Sequence, residues 1–220
     1  MQLLKLFMQS NMPGTLAAFY EKVLELPVLG NADEIEIIIG SSHIFFSQAA
    51  PGENPFYHFA INIPANKIEE ARTWLSAKVE LLWIADYDSE VADFRNWNAK
   101  SIYFFDEAGN IVELIARFDL KNSTDEAFSS QQLLSVSEIG VVYPPHDIEQ
   151  NTEALIRRNR LTYFSKQAPF PQFKAVGNDE GLFIIVTEGR NWYPTADKAA
   201  GRFPLQVEFE LEGKLYKESF

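Results

Sequence analysis

The chain has no cysteine at all. That removes disulfides, thiolate metal sites, iron–sulfur clusters and cysteine nucleophiles in one step. It also lacks the run of about 18 consecutive apolar residues that a bilayer span takes, so a membrane-crossing helix is excluded. Basic residues are scarce. Nineteen Lys and Arg stand against 31 Asp and Glu, a net charge of -12. Such a balance repels a phosphate backbone or an anionic lipid surface, so neither nucleic acid nor membrane is an expected partner. The start, MQLLKLFMQSNMPG, has a lone Lys5 and soon turns polar, a poor secretory signal. Cytoplasmic is the default expectation. GxSxG, GxGxxG, a Walker loop and HExxH are absent too.

What is there is a core-forming composition of 46% hydrophobic and 14% aromatic residues, 18 of them Phe. That suggests thick packed layers or an aromatic-lined cavity. An internal repeat says more. Tyr57 to Pro64 reads YHFAINIP, and NKIEEARTWLSAK follows from Asn66 to Lys78. Phe59, Ile61 and Ile63 alternate, as in a strand with one face against helices. Ile68, Ala71, Trp74 and Leu75 then recur at helical spacing, with Asn66 placed as a cap. SEIGVVYP from Ser137 to Pro144 repeats the strand, and HDIEQNTEALIRRNR repeats the helix. His58 and Glu138 each lie six residues before the closing proline, so the two stretches superpose without a gap.

A hairpin closes each unit. The middle one is SIYFF, DEAGN, IVELIARF; the last is FKAVG, NDEG, LFIIVTEG; the first is worn down to IEIIIG, SS, HIFFSQ. Gly40, Gly109 and Gly181 sit at the turns, where a positive φ is easy only for glycine. The sequence thus predicts an α+β fold of repeated β-α-β-β-β units, two full and a weaker third, forming a curved mixed sheet with a concave cup. Helices are expected near 15–25, 66–78 and 147–159. Residues 1–118 are read as paired units and 119–132 as a polar, exposed and mobile linker. Residues 133–220 are read as the incomplete third unit with a closing strand at 205–213.

FYHFAINIP at 56–64, the helix ending TWL at 73–75 and SIYFFDEAGNIVELIAR at 101–117 together resemble the vicinal oxygen chelate superfamily. That superfamily includes glyoxalase I, bleomycin and fosfomycin resistance proteins, and extradiol ring-cleaving dioxygenases. The resemblance implies a divalent metal held by one residue on the first strand and one on the last strand of each of two paired units. In the middle unit those are His58 and Glu113, and an imidazole with a carboxylate suits Zn, Fe, Mn or Ni. Alternation independently places His58, Ala60 and Asn62 opposite the helix-packing residues of their strand, and groups Glu113 with Ile111, Ile115 and Arg117 on that same side of the sheet.

The first unit departs from the pattern, with Leu4 or Lys5 and Phe46 at the matching positions and Gln48 as a weak oxygen nearby. The third offers Glu138 and Ile184. If units one and two pair, the site has two protein ligands; if units two and three share the cup, it has His58, Glu113 and Glu138. Sequence order favours the first arrangement. Glu113 is the candidate catalytic base, and Asn62, Arg117, Trp97, Arg190 and Trp192 are candidate ligand contacts. His43 and His146 read as surface residues. Without metal, a His58–Glu113 pair would raise the imidazole pKa. The resemblance implies a small-molecule site with metal-assisted lyase, isomerase or ring-cleaving dioxygenase chemistry. The alternative is a metal-free binding or sequestering protein of the bleomycin-resistance type, or a degenerate sensor. A homodimer formed through the incomplete third unit is left open.

Overall fold

The computed structural model describes residues 1–220. Thirteen strands form one mixed sheet, with three α-helices packed against it. The first stretch runs β1 (Gln2–Ser10), α1 (Pro13–Lys22), β2 (Val28–Gly30), β3 (Glu34–Ile39) and β4 (Ser42–Gln48). The second runs β5 (His58–Ile63), α2 (Ile68–Ser76), β6 (Ala92–Phe94), β7 (Ala99–Phe105) and β8 (Ile111–Arg117). The third runs β9 (Ser135–Tyr143), α3 (Ile148–Asn159), β10 (Phe173–Asn178) and β11 (Gly181–Thr187). A final hairpin is β12 (Gln206–Leu211) with β13 (Lys214–Ser219). No helix is long and apolar enough to cross a membrane.

In each stretch the strand before the helix runs parallel to the last hairpin strand: β1 with β4, β5 with β8, β9 with β11. A helical crossover permits that parallel pairing, which a tight turn does not. At the centre β5 lies antiparallel to β9, with Phe59 opposite Ile139 and Ala60 opposite Glu138. The second and third stretches therefore meet in the order β6-β7-β8-β5-β9-β11-β10. Sequence order had favoured pairing within 1–118, and the ladders differ from that. β1 is flanked by β4 and β12 and meets β9 only at Leu3 opposite Val136. The reason is one of strand edges, whose backbone groups must find partners. β12 returns to close the edge of β1, and the free edge of β5 is left to β9.

The two faces of the central sheet bury different side chains. Phe59, Ile61, Val112, Leu114, Ile139 and Phe183 join the large core under the helices. Tyr103, Ile111, Leu182, Ile184 and Trp192 form a separate cluster on the concave face. This is the alternation read from the sequence, now expressed as two layers.

Local chemistry departs from expectation in three places. Asn66 does not cap α2; its side chain exchanges hydrogen bonds of 2.9 and 3.1 Å with the backbone of Thr124. Residues 119–132 hold only a short 3-10 turn and, apart from Phe128, are exposed or partly exposed, as read from the sequence, but they are also tied down at particular points. The Asn122 side chain accepts from the Ala65 N–H at 2.9 Å, and Phe128 is buried edge-on to Trp74. Polar residues that composition reads as solvent-facing are here tying the segment to the start of α2. Gly40 and Gly109 do take positive φ at their turns. Gly181 does not; a Cβ there would lie 2.7 Å from the Met1 carbonyl oxygen, so close approach is what requires it.

Candidate functional site

His58 opens β5, Glu113 sits mid-β8 and Glu138 lies on β9. Ala60 is the register partner of both carboxylates, one from each side. All three donors are buried, and their ligand atoms lie within 4.8 Å of one another. The register is also symmetric about the sheet centre. Gly140 faces Ile184 as Ala60 faces Glu113. Glu138 thus stands on β9 where His58 stands on β5, and Ile184 stands where Glu113 does. Of four related positions, three carry donors and one an isoleucine.

His58 Nδ1 lies 3.2 Å from the Ile111 carbonyl, which accepts its proton when the ring carries it there. That leaves the Nε2 lone pair toward Glu113, whose Oε2 is 3.6 Å away. A carbonyl orienting the far nitrogen is the usual support for a metal-ligating histidine. Burial pushes the imidazole pKa down to about 4; the Ile111 carbonyl opposes the shift and the Arg190 charge adds to it. The rise expected for a metal-free pair is not found, because desolvation outweighs a partner that is itself uncharged. Burial first, then the Glu138 charge, push Glu113 up to about 8. Near neutral pH the contact joins two neutral groups and is no ion pair. Ser101 and Tyr103 face Glu113 from β7 and oppose its shift, although Ser101 Oγ has no partner at hydrogen-bonding geometry.

Burial also raises Glu138, against the pull of Arg117. Arg117 is fully buried. Its guanidinium donates to Glu138 Oε1, to Ser137 Oγ at 3.1 Å and to Asp179 at 3.5 Å. Trp97 and Phe164 lie beneath it, with ring centroids 5.6 and 5.8 Å from Cζ. Ser137 and Glu138 are consecutive, yet both reach the same guanidinium. The register shift between β5 and β9 at this point, a bulge, allows it. Arg117 is therefore the counter-ion of Glu138 and does not line the cavity, unlike the direct ligand contact read from its face.

A cavity of about 200 Å³ opens over the three donors. Its walls are Phe94, Trp97, Tyr103, Phe173, Trp192 and Tyr193, with Gln167 and Arg190 as polar members. The Trp192 ring sits 5.2 Å from the His58 ring. Gly140 makes room for it, since a Cβ there would meet the indole at 2.5 Å. Trp97, Arg190 and Trp192 are on the wall; Asn62 is not, and its buried Oδ1 has no partner. His43, hydrogen-bonded to Glu36 at 2.6 Å, and exposed His146 take no part. Nor do Lys5, Phe46 and Gln48 of the first stretch.

Sequence reasoning missed Tyr103, Phe94, Phe173, Gln167 and Tyr193. For Tyr103 a signal existed. The DEAGN turn sets Phe105 opposite Ile111, which puts Tyr103 opposite Glu113. Phe94 and Phe173 lie on the edge strands β6 and β10, with Phe173 opposite Val186 in the last hairpin, whereas Gln167 and Tyr193 come from loops with no register to read. Chemically, the donor set suits a divalent metal: a neutral imidazole with a free lone pair and two carboxylates. Arg117 occupies one oxygen of Glu138 and leaves the other.

No family model matches this chain, and no curated protein matches it in sequence. Solved structures do. A putative dioxygenase from Bacillus subtilis subsp. subtilis str. 168 aligns with 84% of this chain at 14% identity and a TM-score of 0.56. This chain spans 63% of that protein's length. The V278E mutant of glyoxalase I from Zea mays aligns with 93% of this chain and 73% of its own, at 12% identity and a TM-score of 0.57. At such identities the likeness is one of architecture. The chain shares the glyoxalase-type α+β fold of these two structures.

Proposed function

We propose that this chain is a metal-dependent enzyme acting on a small molecule in the concave cup, with His58, Glu113 and Glu138 as the metal ligands. The observation that carries the reading is the convergence of three buried donors beneath an aromatic cavity. Three protein ligands leave coordination positions open, as catalytic sites do and structural ones do not. A divalent metal there (Zn, Fe, Mn or Ni) supplies Lewis acidity toward two adjacent substrate oxygens. The chain's own residues do the rest. His58 stays neutral and offers Nε2. Glu113 borders the cavity and is the carboxylate placed to exchange a proton with the substrate. Arg117 holds Glu138 in place, and the aromatic walls exclude water. The reaction class is a lyase, isomerase or ring-cleaving dioxygenase step.

A second reading, a metal-free binding or sequestering protein, is favoured by one feature. The Arg117–Glu138 ion pair and the neutral His58–Glu113 contact leave the three groups partnered without a cation. Metal analysis of protein purified without a polyhistidine tag separates the two. The enzyme reading expects about one metal per chain, stripped by Glu113→Gln. Protein that arrives metal-free and takes up none of Mn, Fe, Zn or Ni in a calorimetric titration would leave the binding reading standing.

A further inference from the structure

Arg190 differs from most of the buried or partly buried cations of the chain, although Lys198, stacked on Phe56 and Phe105, and Lys100 likewise have no carboxylate partner. Arg117 has Glu138 and Asp179, Lys67 has Glu70, Lys174 has Glu149, and Lys166 has Asp119 and Asp179. Arg190 lies on the cavity wall, half-buried, with no acidic neighbour to offset its desolvation. Its one hydrogen bond within the chain goes to the Asn191 carbonyl at 3.3 Å, and its face rests on the Phe173 ring at 5.3 Å. In a chain with 31 acidic residues, an unpaired guanidinium at this depth is an exception. On the same wall the Tyr193 hydroxyl is buried without a hydrogen-bond partner. Arg190 thus lines the cavity with hydrogen-bonding capacity to spare, while the Tyr193 hydroxyl is sealed behind its ring.

The remaining wall fixes the rest of the ligand's chemistry. Six aromatic side chains surround the space. An apolar cavity of about 150 Å³ holds a benzene ring, so 200 Å³ takes one ring and a small substituent rather than two rings. The Glu138 carboxylate on the floor, though paired with Arg117, disfavours a second negative charge beside it. One planar guanidinium fork matches one carboxylate.

We propose that the cavity takes a single-ring aromatic carboxylate, its carboxylate on Arg190 and its ring among the aromatic walls. This names a substrate class for the site described above, and rests on that reading only in taking the cavity as the place of chemistry. Binding through Arg190 needs no metal.

The test is calorimetric titration of the full chain after EDTA treatment, with benzoate, 2-hydroxybenzoate, benzamide and phenylphosphonate as probes. The two carboxylates should bind at least about tenfold more tightly than neutral, isosteric benzamide. Phenylphosphonate, with its higher charge, should bind less tightly than benzoate. Arg190→Met should bring the carboxylates down to the level of benzamide while benzamide itself changes little, and Arg190→Lys should recover part of the loss. Thermal unfolding establishes that each variant is folded, and the wild-type comparison of acid with amide stands whether or not they are. Carboxylates that bind no better than benzamide, or not at all up to ~10 mM, would overturn the proposal. So would tighter binding of phenylphosphonate, or carboxylate affinity untouched in folded Arg190→Met. Metal content, measured on untreated protein, reports on the metal reading alone, so either can fail without the other.

Discussion

Arg117→Met probes whether the electrostatics of the candidate centre rest on one buried cation. The side chain is 0% exposed and serves three acceptors. When the guanidinium goes, Asp179 keeps Lys166 at 2.7 Å, and Ser137 loses one donor. Glu138 is different: it is 3% exposed, and Arg117 is its ion-pair partner. Removing one member of a buried pair costs about 3–5 kcal/mol, to which methionine restores part of the packing against Trp97 and Phe164. An orphaned carboxylate escapes by holding a proton that the unfolded chain has released. The folded variant then binds more protons than the unfolded one above the ordinary carboxylate range, so its stability declines as pH rises, by up to about 1.4 kcal/mol per unit. Urea unfolding of EDTA-treated protein at about pH 5.5 and about pH 8 should show the smaller penalty at the acid end. The double variant Arg117→Met with Glu138→Gln, which leaves no charge behind, should recover about 2 kcal/mol at the alkaline end. Equal penalties at both pH values and no recovery in the double variant would refute the reasoning, because the loss would then be packing alone.

Two further outcomes follow from the same geometry. Glu113 is raised to about 8 and His58 lowered to about 4. Stability from Glu113 is lost as pH rises toward 8, and stability from His58 is lost as pH falls from the ordinary imidazole value toward 4. The two oppose each other at acid pH, so their net effect on metal-free protein is a loss of stability from about pH 6.5 to 8, while buried Asp106, raised to about 6, adds a decline with rising pH below that range. Glu113→Gln should flatten that decline in thermal unfolding, and an unchanged slope would count against a neutral Glu113. Gly140→Ala forces the Trp192 indole away from a contact of 2.5 Å. It should destabilise by about 1–3 kcal/mol and red-shift tryptophan emission, and a variant with wild-type spectra and melting would contradict the packing described.

Much of the architecture was legible because strand alternation and helical spacing are local. Phe59, Ile61 and Ile63 against His58, Ala60 and Asn62 assigned the two faces of β5 before any coordinates, and the DEAGN turn identified the β7–β8 hairpin, whose register, not drawn from the sequence, sets Tyr103 opposite Glu113. The face of Arg117 could be read in the same way, but not its occupation. A long side chain takes whichever partner the neighbouring strand presents, and that depended on the bulge at Ser137. The anchoring of the polar stretch 119–132 was not legible for a related reason. Amide side chains such as Asn66 and Asn122 are indifferent between water and a backbone partner until the chain brings one close.

The sequence by itself determined the repeated unit, the α+β class and the shared concave face of His58 and Glu113. Each follows from periodicities of two and 3.6 residues and from turn chemistry, which act over a few neighbouring positions. Only the tertiary structure decided that β5 pairs with β9, which brings Glu138 within reach of the other two donors, and that Trp192, Tyr193 and Arg190 fold over them. Strand edges are chemically alike, so the choice of partner is made by what else is available to close each one. Here β12 closes the edge of β1, and that distant pairing is what leaves a three-donor centre rather than a two-donor one.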